Sequence, residues 1–92
     1  MRKKDRLRGN FPRVLKTKVA SVGGLGIFAV PGKGKIGIAV NKSVKGAVNR
    51  NRIKRQLRIY ADTYFLGKTK KDVVIVAYGV QFHMKPPPKD IL

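Results

Sequence analysis

The sequence has no cysteine, no tryptophan and no glutamate, a single histidine, His83, and only four acids, Asp5, Asp62, Asp72 and Asp90. Each absence removes a class of chemistry. Without cysteine there is no disulfide, no thiol nucleophile and no Cys-based metal site, a usage that fits a reducing cytoplasm. One histidine allows no His pair for general acid–base catalysis, and His83 reads as a surface or tail residue. The four acids lie on different expected elements, so they do not offer the converging carboxylates of a metal-dependent nuclease. Pro31-Gly32-Lys33-Gly34 is too short for a phosphate-cradling loop and connects two expected strands. The longest aliphatic run, Val73 to Ala77, is five residues, against about 20 for a membrane helix. Met1-Arg2-Lys3-Lys4 leads into Asp5, Arg6 and Arg8, so no export signal is expected. On its own residues the chain is expected to bind, with no protein-borne active site, metal or small-molecule substrate.

Positive charge is what the sequence has in excess: 22 Lys and Arg oppose 4 acids, a net +18 over 92 residues. Residues 1–18 carry eight cations and one anion, and residues 42–58 carry seven cations and no anion. These two segments hold +14 of the +18, whereas a merely solvated face mixes both signs. Such self-repulsion is relieved by a polyanion, which makes nucleic acid the expected partner ahead of an anionic membrane or an acidic protein. An apolar fraction of 42% suffices for one modest core, burying roughly 60–65% of the unfolded surface.

Hydrophobic spacing sets out the elements. Phe11, Val14 and Leu15 form an i, i+3, i+4 stripe on a short helix, with Asn10 as its cap and Pro12 at its first position. Leu25 to Val30 and Ile36 to Val40 alternate with period two, and the Pro31-Gly32 pair between them reads as a β-hairpin. From about Gly46 to Phe65 no Pro or Gly interrupts, and Ile53, Leu57, Tyr60, Ala61 and Tyr64 share one helical stripe. Gly67 is the expected left-handed cap. Val73 to Ala77, continuously apolar and mostly β-branched, reads as a strand buried on both faces. Strand, long helix and buried strand make a βαβ crossover. The expected fold class is therefore α+β, a two-layer α/β sandwich on a small mixed sheet, with residues 1–85 as one RNA-binding domain and 86–92 as a Pro-rich tail.

On the long helix, Lys54, Arg58, Asn51 and Arg55 fall between about 100° and 200° from Ile53 and Arg52 at about 260°, while Arg50 lies nearer the apolar edge. Such a helix can neutralise about four to six phosphates. Nothing resembles a helix-turn-helix, zinc finger or zipper, so folded RNA is favoured over duplex DNA. Phe28 and Phe11 offer a weak stacking signal beside a Gly-rich sheet, although each also reads as a core residue.

Residues 37–58, running Gly37-Ile38-Ala39-Val40 into a basic loop, then Ala47-Val48 and Arg50-Asn51-Arg52-Ile53-Lys54-Arg55-Gln56-Leu57-Arg58, closely resemble the bacterial ribonuclease P protein component. Arg6-Leu7-Arg8 with Phe11 and Val14 is similar to that family's first helix, and Asp72 to Ala77 to its last strand. The resemblance implies a left-handed crossover like that of the second domain of a small-subunit ribosomal protein. It implies a cytoplasmic ribonucleoprotein whose catalyst is an RNA subunit, with Mg²⁺ held by that RNA and the substrate, and whose substrate is precursor tRNA. Contacts to the catalytic RNA map to Arg50, Asn51, Arg52, Lys54, Arg55 and Arg58. Contacts to the 5′ leader map to a cleft formed by Phe11, Leu15, Phe28, Ile36 and Ile38, with Lys42 and Lys45 nearby. The sequence departs from the family in its Lys45-Gly46 order, in Tyr78-Gly79 after the last strand, and in the short segment that follows. A ribosomal or other structural RNA-binding protein remains the alternative, with a DNA-binding architectural protein behind it.

Overall fold

The computed structural model describes Leu7 and residues 11–91, without the side chains of Phe11 and Pro12. The expectations placed on Arg6, Arg8, the Asn10 cap and the Phe11 ring thus lie outside the described residues. In chain order the elements are α1 (Phe11–Val14), β1 (Lys18–Val22), β2 (Leu25–Pro31), β3 (Ile36–Val40), α2 (Ala47–Tyr64) and β4 (Lys71–Ala77), followed by a 3₁₀ turn at Lys89–Ile91. The strands form one mixed sheet in the order β1-β2-β4-β3, with β4 antiparallel to β2 and parallel to β3. This is the α+β sandwich expected, and β3, α2 and β4 form its βαβ unit.

β4 takes the central position because residues 73–77 carry no polar side chain on either face. Alternation then divides the core. Val73, Ile75 and Ala77 point with Leu25, Ile27 and Ile36 toward Ile53, Leu57 and Tyr60 of α2. Val74, Val76 and Phe28 point the other way, where Val14 and Leu7 cover them. On α1, Val14 is fully buried while its neighbour Leu15 is 38% exposed, so the expected stripe splits between core and surface.

The expected hairpin between β2 and β3 does not form. Both strands exist, but β4 inserts between them, and each pairs with β4 instead. The hairpin is one strand earlier, between β1 and β2. There Gly23 and Gly24 take φ of 57° and 90°, the pair of positive values that a tight hairpin turn needs.

Asp72, at the mouth of β4, holds the split pair together. Its Oδ1 accepts the amides of Lys33 (3.0 Å) and Lys35 (3.1 Å), and its Oδ2 accepts Arg13 Nη2 at 2.8 Å. The loop that bridges β4 and the end of α1 are thereby tied to one carboxylate. Gly32 passes so close to this carboxylate that a Cβ there would overlap it. Burial pushes the Asp72 carboxyl up, but the two amides and Arg13 together pull it below the usual carboxylate value.

Beyond β4 the chain forms a strap. His83 donates its amide to the Gly23 carbonyl at 2.7 Å. Tyr60, its phenol pushed up to about 12 by burial and by neighbouring Tyr64, donates to the Lys85 carbonyl at 2.6 Å. Pro87 is buried, and Ile91 enters the core beneath α2. Among the described residues no helix is long and apolar enough to cross a membrane.

Replacing Asp72 with Ala orphans two amides and should cost roughly 1–3 kcal/mol at pH 7, measured by urea unfolding. Because the folded carboxyl titrates below its unfolded value of 3.8, its contribution is complete above that pH and is lost as pH falls through the folded value. The gap between wild type and variant should therefore close on acidification; a gap that persists unchanged well below pH 3 would contradict the ion-paired role.

Candidate nucleic-acid interface

α2 buries Ile53, Leu57, Tyr60 and Ala61 against the sheet and turns the opposite face outward. Asn51, Arg52, Arg55 and Arg58 are exposed there, with Lys54 half-buried at the edge. Val48 and Ile59, 82% and 55% exposed, lie on the same outward face. The first acid along the helix is Asp62, near its C-terminal end. Arg52 and Arg55, Lys54 and Arg58, and Arg55 and Arg58 stand three or four residues apart, the spacing at which like charges on a helix repel. The arrangement opposes helix stability in the free protein and is favourable once an anion sits against it.

Arg50 behaves differently from its neighbours. Its guanidinium donates to the carbonyls of Val44 (3.1 Å), Asn41 (3.3 Å) and Val40 (3.4 Å). It therefore clamps the β3–α2 loop onto the start of the helix. The same loop is fixed on its other side by the Asn41 amide donating to Ala77 O at 2.9 Å and by Ser43 Oγ donating to Tyr78 O at 2.9 Å.

On the sheet face away from α2 lies an open cleft of about 450 Å³. Phe28, Ala39 and Val76 floor it, Leu15 closes one side, and Asn41, Lys42 and Tyr78 form a more polar rim. Tyr78 lies over the bare backbone of Gly26, where a Cβ would collide with its ring, and Lys18 Nζ sits 5.3 Å from the ring centroid. An apolar floor with a cationic and aromatic rim suits unstacked bases with phosphates at the edge.

The cleft thus brings together Leu15, Phe28 and Lys42 of the expected leader-contact residues. Ile36 and Ile38 are not in it: strand alternation sends both to the α2 side, where Ile36 is wholly buried. Lys45 is exposed on the β3–α2 loop, apart from the cleft lining. Sequence reasoning missed Ala39, Val76, Asn41 and Tyr78 as cleft residues. The signal was parity: Ala39 and Val76 are register partners, and Phe28 shares their face. The described acids form no cluster that could hold a metal ion, and both Asp72 oxygens are engaged by protein donors.

A cationic, acid-poor helix face on one side of an α+β sheet and an apolar cleft on the other are the features of a small nucleic-acid-binding protein. The Ribonuclease P family model matches residues 1–84, and the chain belongs to this family. A structure of a Staphylococcus aureus RNase P protein mutant with defective mRNA degradation activity superposes with a TM-score of 0.68 at 28% identity, over 83% of this chain and 70% of that one. Two further structures of the Staphylococcus aureus RNase P protein give TM-scores of 0.61 and 0.58 at 27% and 25% identity, covering 99% and 96% of this chain and 78% and 81% of theirs. Comparison with curated protein sequences returns no match. Membership brings with it an RNA partner and a place in tRNA processing.

Because Arg50 holds loop carbonyls and Arg52 faces outward, their alanine variants should separate. Arg50→Ala should lower the melting temperature and speed amide exchange at Val44, whereas Arg52→Ala should stay within about 0.5 kcal/mol of wild type. Equal stability of the two variants would contradict the clamp.

Proposed function

We propose that the chain is the protein subunit of ribonuclease P. In this reading it holds the catalytic RNA along α2 through Asn51, Arg52, Lys54, Arg55 and Arg58, with Arg50 fixing the adjoining loop. The cleft receives the 5′ leader of precursor tRNA, with Leu15 and Phe28 against the bases and Lys42 near the backbone. Phe11, whose ring is outside the described residues, belongs to the same proposal. Residues 1–85 form the RNA-binding domain, acting in the cytoplasm. Hydrolysis of the phosphodiester, which frees the mature tRNA 5′ end, is assigned to the RNA, with Mg²⁺ bound by RNA and substrate. The protein's residues position and neutralise: they bring two polyanions together and hold the leader in one orientation.

The observation that carries this reading is the pairing of the acid-free stretch of α2 with a separate apolar cleft, joined by the loop that Arg50 clamps. A structural RNA-binding protein requires the first surface and gives no reason for the second.

Adding the protein to a ribonuclease P RNA at low Mg²⁺ should stimulate cleavage of precursor tRNA. Absence of stimulation together with tight binding to ribosomal RNA would overturn the assignment in favour of the structural alternative. Leu15→Ala and Lys42→Ala should lower affinity for a leader-bearing precursor more than for mature tRNA, measured as the ratio of the two dissociation constants. An equal loss for both would remove the leader from the cleft.

A further inference from the structure

A second hollow, of about 610 Å³, lies on the other side of the sheet, where the Gly23-Gly24 turn, the strap and the edge of α2 meet. Its size falls within the about 300–1,000 Å³ typical of small-ligand sites. Of its lining residues only Arg52 already belongs to the helix-face assignment, and none belongs to the leader cleft. Arg52 and Gln56 reach it from α2, one turn apart on the edge of the cationic face. Gln81 lines the strap side beside Val80 and Phe82. Phe82 is half-buried and packs against the core, so its position is fixed, while Val80 is 47% exposed.

The hollow is prebuilt. The His83 amide bond to Gly23 O pins the strap to the turn, and a Cβ on Gly23 would strike the His83 carbonyl. Gly24 presents bare backbone beside Phe82. Three kinds of group therefore converge: a guanidinium continuous with the phosphate-binding face, two side-chain amides, and a fixed apolar wall.

We infer that this hollow receives a single unstacked nucleotide of the RNA that lies along α2, an inference that rests on the proposed function. Arg52 takes the nucleotide's phosphate. Gln56 and Gln81 each offer a donor and an acceptor, the pattern that reads a base edge, and Val80 and Phe82 cover the base face. The chain thereby adds base contacts to a helix face that otherwise reads only charge. A nucleobase is favoured over a bare phosphate because, among the described residues, Arg52 is the one lysine or arginine lining the hollow, and apart from the His83 imidazole its other lining side chains are amide or apolar.

Titrating the ¹⁵N-labelled protein with each of the four nucleoside monophosphates should shift the amides of Gly23, Gly24, Gln81 and His83. Ribose 5-phosphate and inorganic phosphate should perturb only residues around Arg52. Identical shifts for all probes, or none at the strap, would overturn the pocket. With ribonuclease P RNA, Gln81→Ala should weaken binding about tenfold with an unchanged salt slope, as expected for a base-edge contact. Arg52→Ala should weaken binding and also shallow the slope by about 0.7–0.9. Undiminished affinity of Gln81→Ala would overturn the inference even where the wild type binds this RNA well. Failure of the wild type to bind that RNA would instead count against the proposed function, and the nucleotide titration would still decide the pocket.

Discussion

With 22 cations and four acids, the chain can form few charge pairs, and among its described residues the buried one is placed where three segments must meet. Asp72 opens the central strand, and its two oxygens hold the loop bridging that strand and the end of the first helix. Without it, the Lys33 and Lys35 amides would face a carboxylate-free hole at the entry of β4. The cationic loop would also lose the one anion that offsets it. This contact fixes the loop that carries the chain across the end of β4 from β2 to β3.

The remaining architecture follows from alternation along apolar strands. Each of β2, β3 and β4 contributes to two faces, and the side chains on those faces differ in kind. The face under α2 is filled by large aliphatic and aromatic groups and is closed. The opposite face holds the small Ala39 beside Phe28 and Val76, and among the described residues Val14 of the four-residue α1 and Leu7 cover part of it, while another part is open as the cleft. The eighteen-residue α2 closes the first face, and the four-residue α1 is too short to do the same for the second. The loop at 41–46 joins them, contributing Asn41 and Lys42 to the cleft rim and leading directly into the helix.

The helix and the doubly buried strand were legible because each is a long, uninterrupted pattern: Ile53, Leu57, Tyr60 and Ala61 at helical spacing, and Val73 to Ala77 without a polar residue. The β2–β3 hairpin was misread because Pro31-Gly32 carries a genuine turn signal, and nothing local tells a tight turn from a loop wide enough to admit a third strand. That distinction is made by β4, some forty residues away, which pairs with both strands and whose Asp72 holds the wider loop. β1 was missed although Gly23-Gly24 marks its hairpin, since apolar residues at 19, 20 and 22 do not follow a period of two. In the site, the cationic face was read directly from charge and spacing, while the cleft was read only in part. Choosing Ile36 and Ile38 over Ala39 required the strand's facing, which is fixed by pairing with β4. Arg50 was grouped with its neighbours by motif, and its carbonyl contacts became visible only with the loop in place.

The cationic face of α2 also means that salt acts on this protein in two opposed directions. In the free chain Arg52, Arg55 and Arg58 follow one another at three-residue spacing along α2, so added ions screen the repulsion between neighbours and favour the folded form. In a complex with any polyanion the same ions compete with the partner and weaken it. Conditions that best preserve the isolated protein are therefore those in which it holds a polyanion least well, and dilution of salt trades conformational stability for grip.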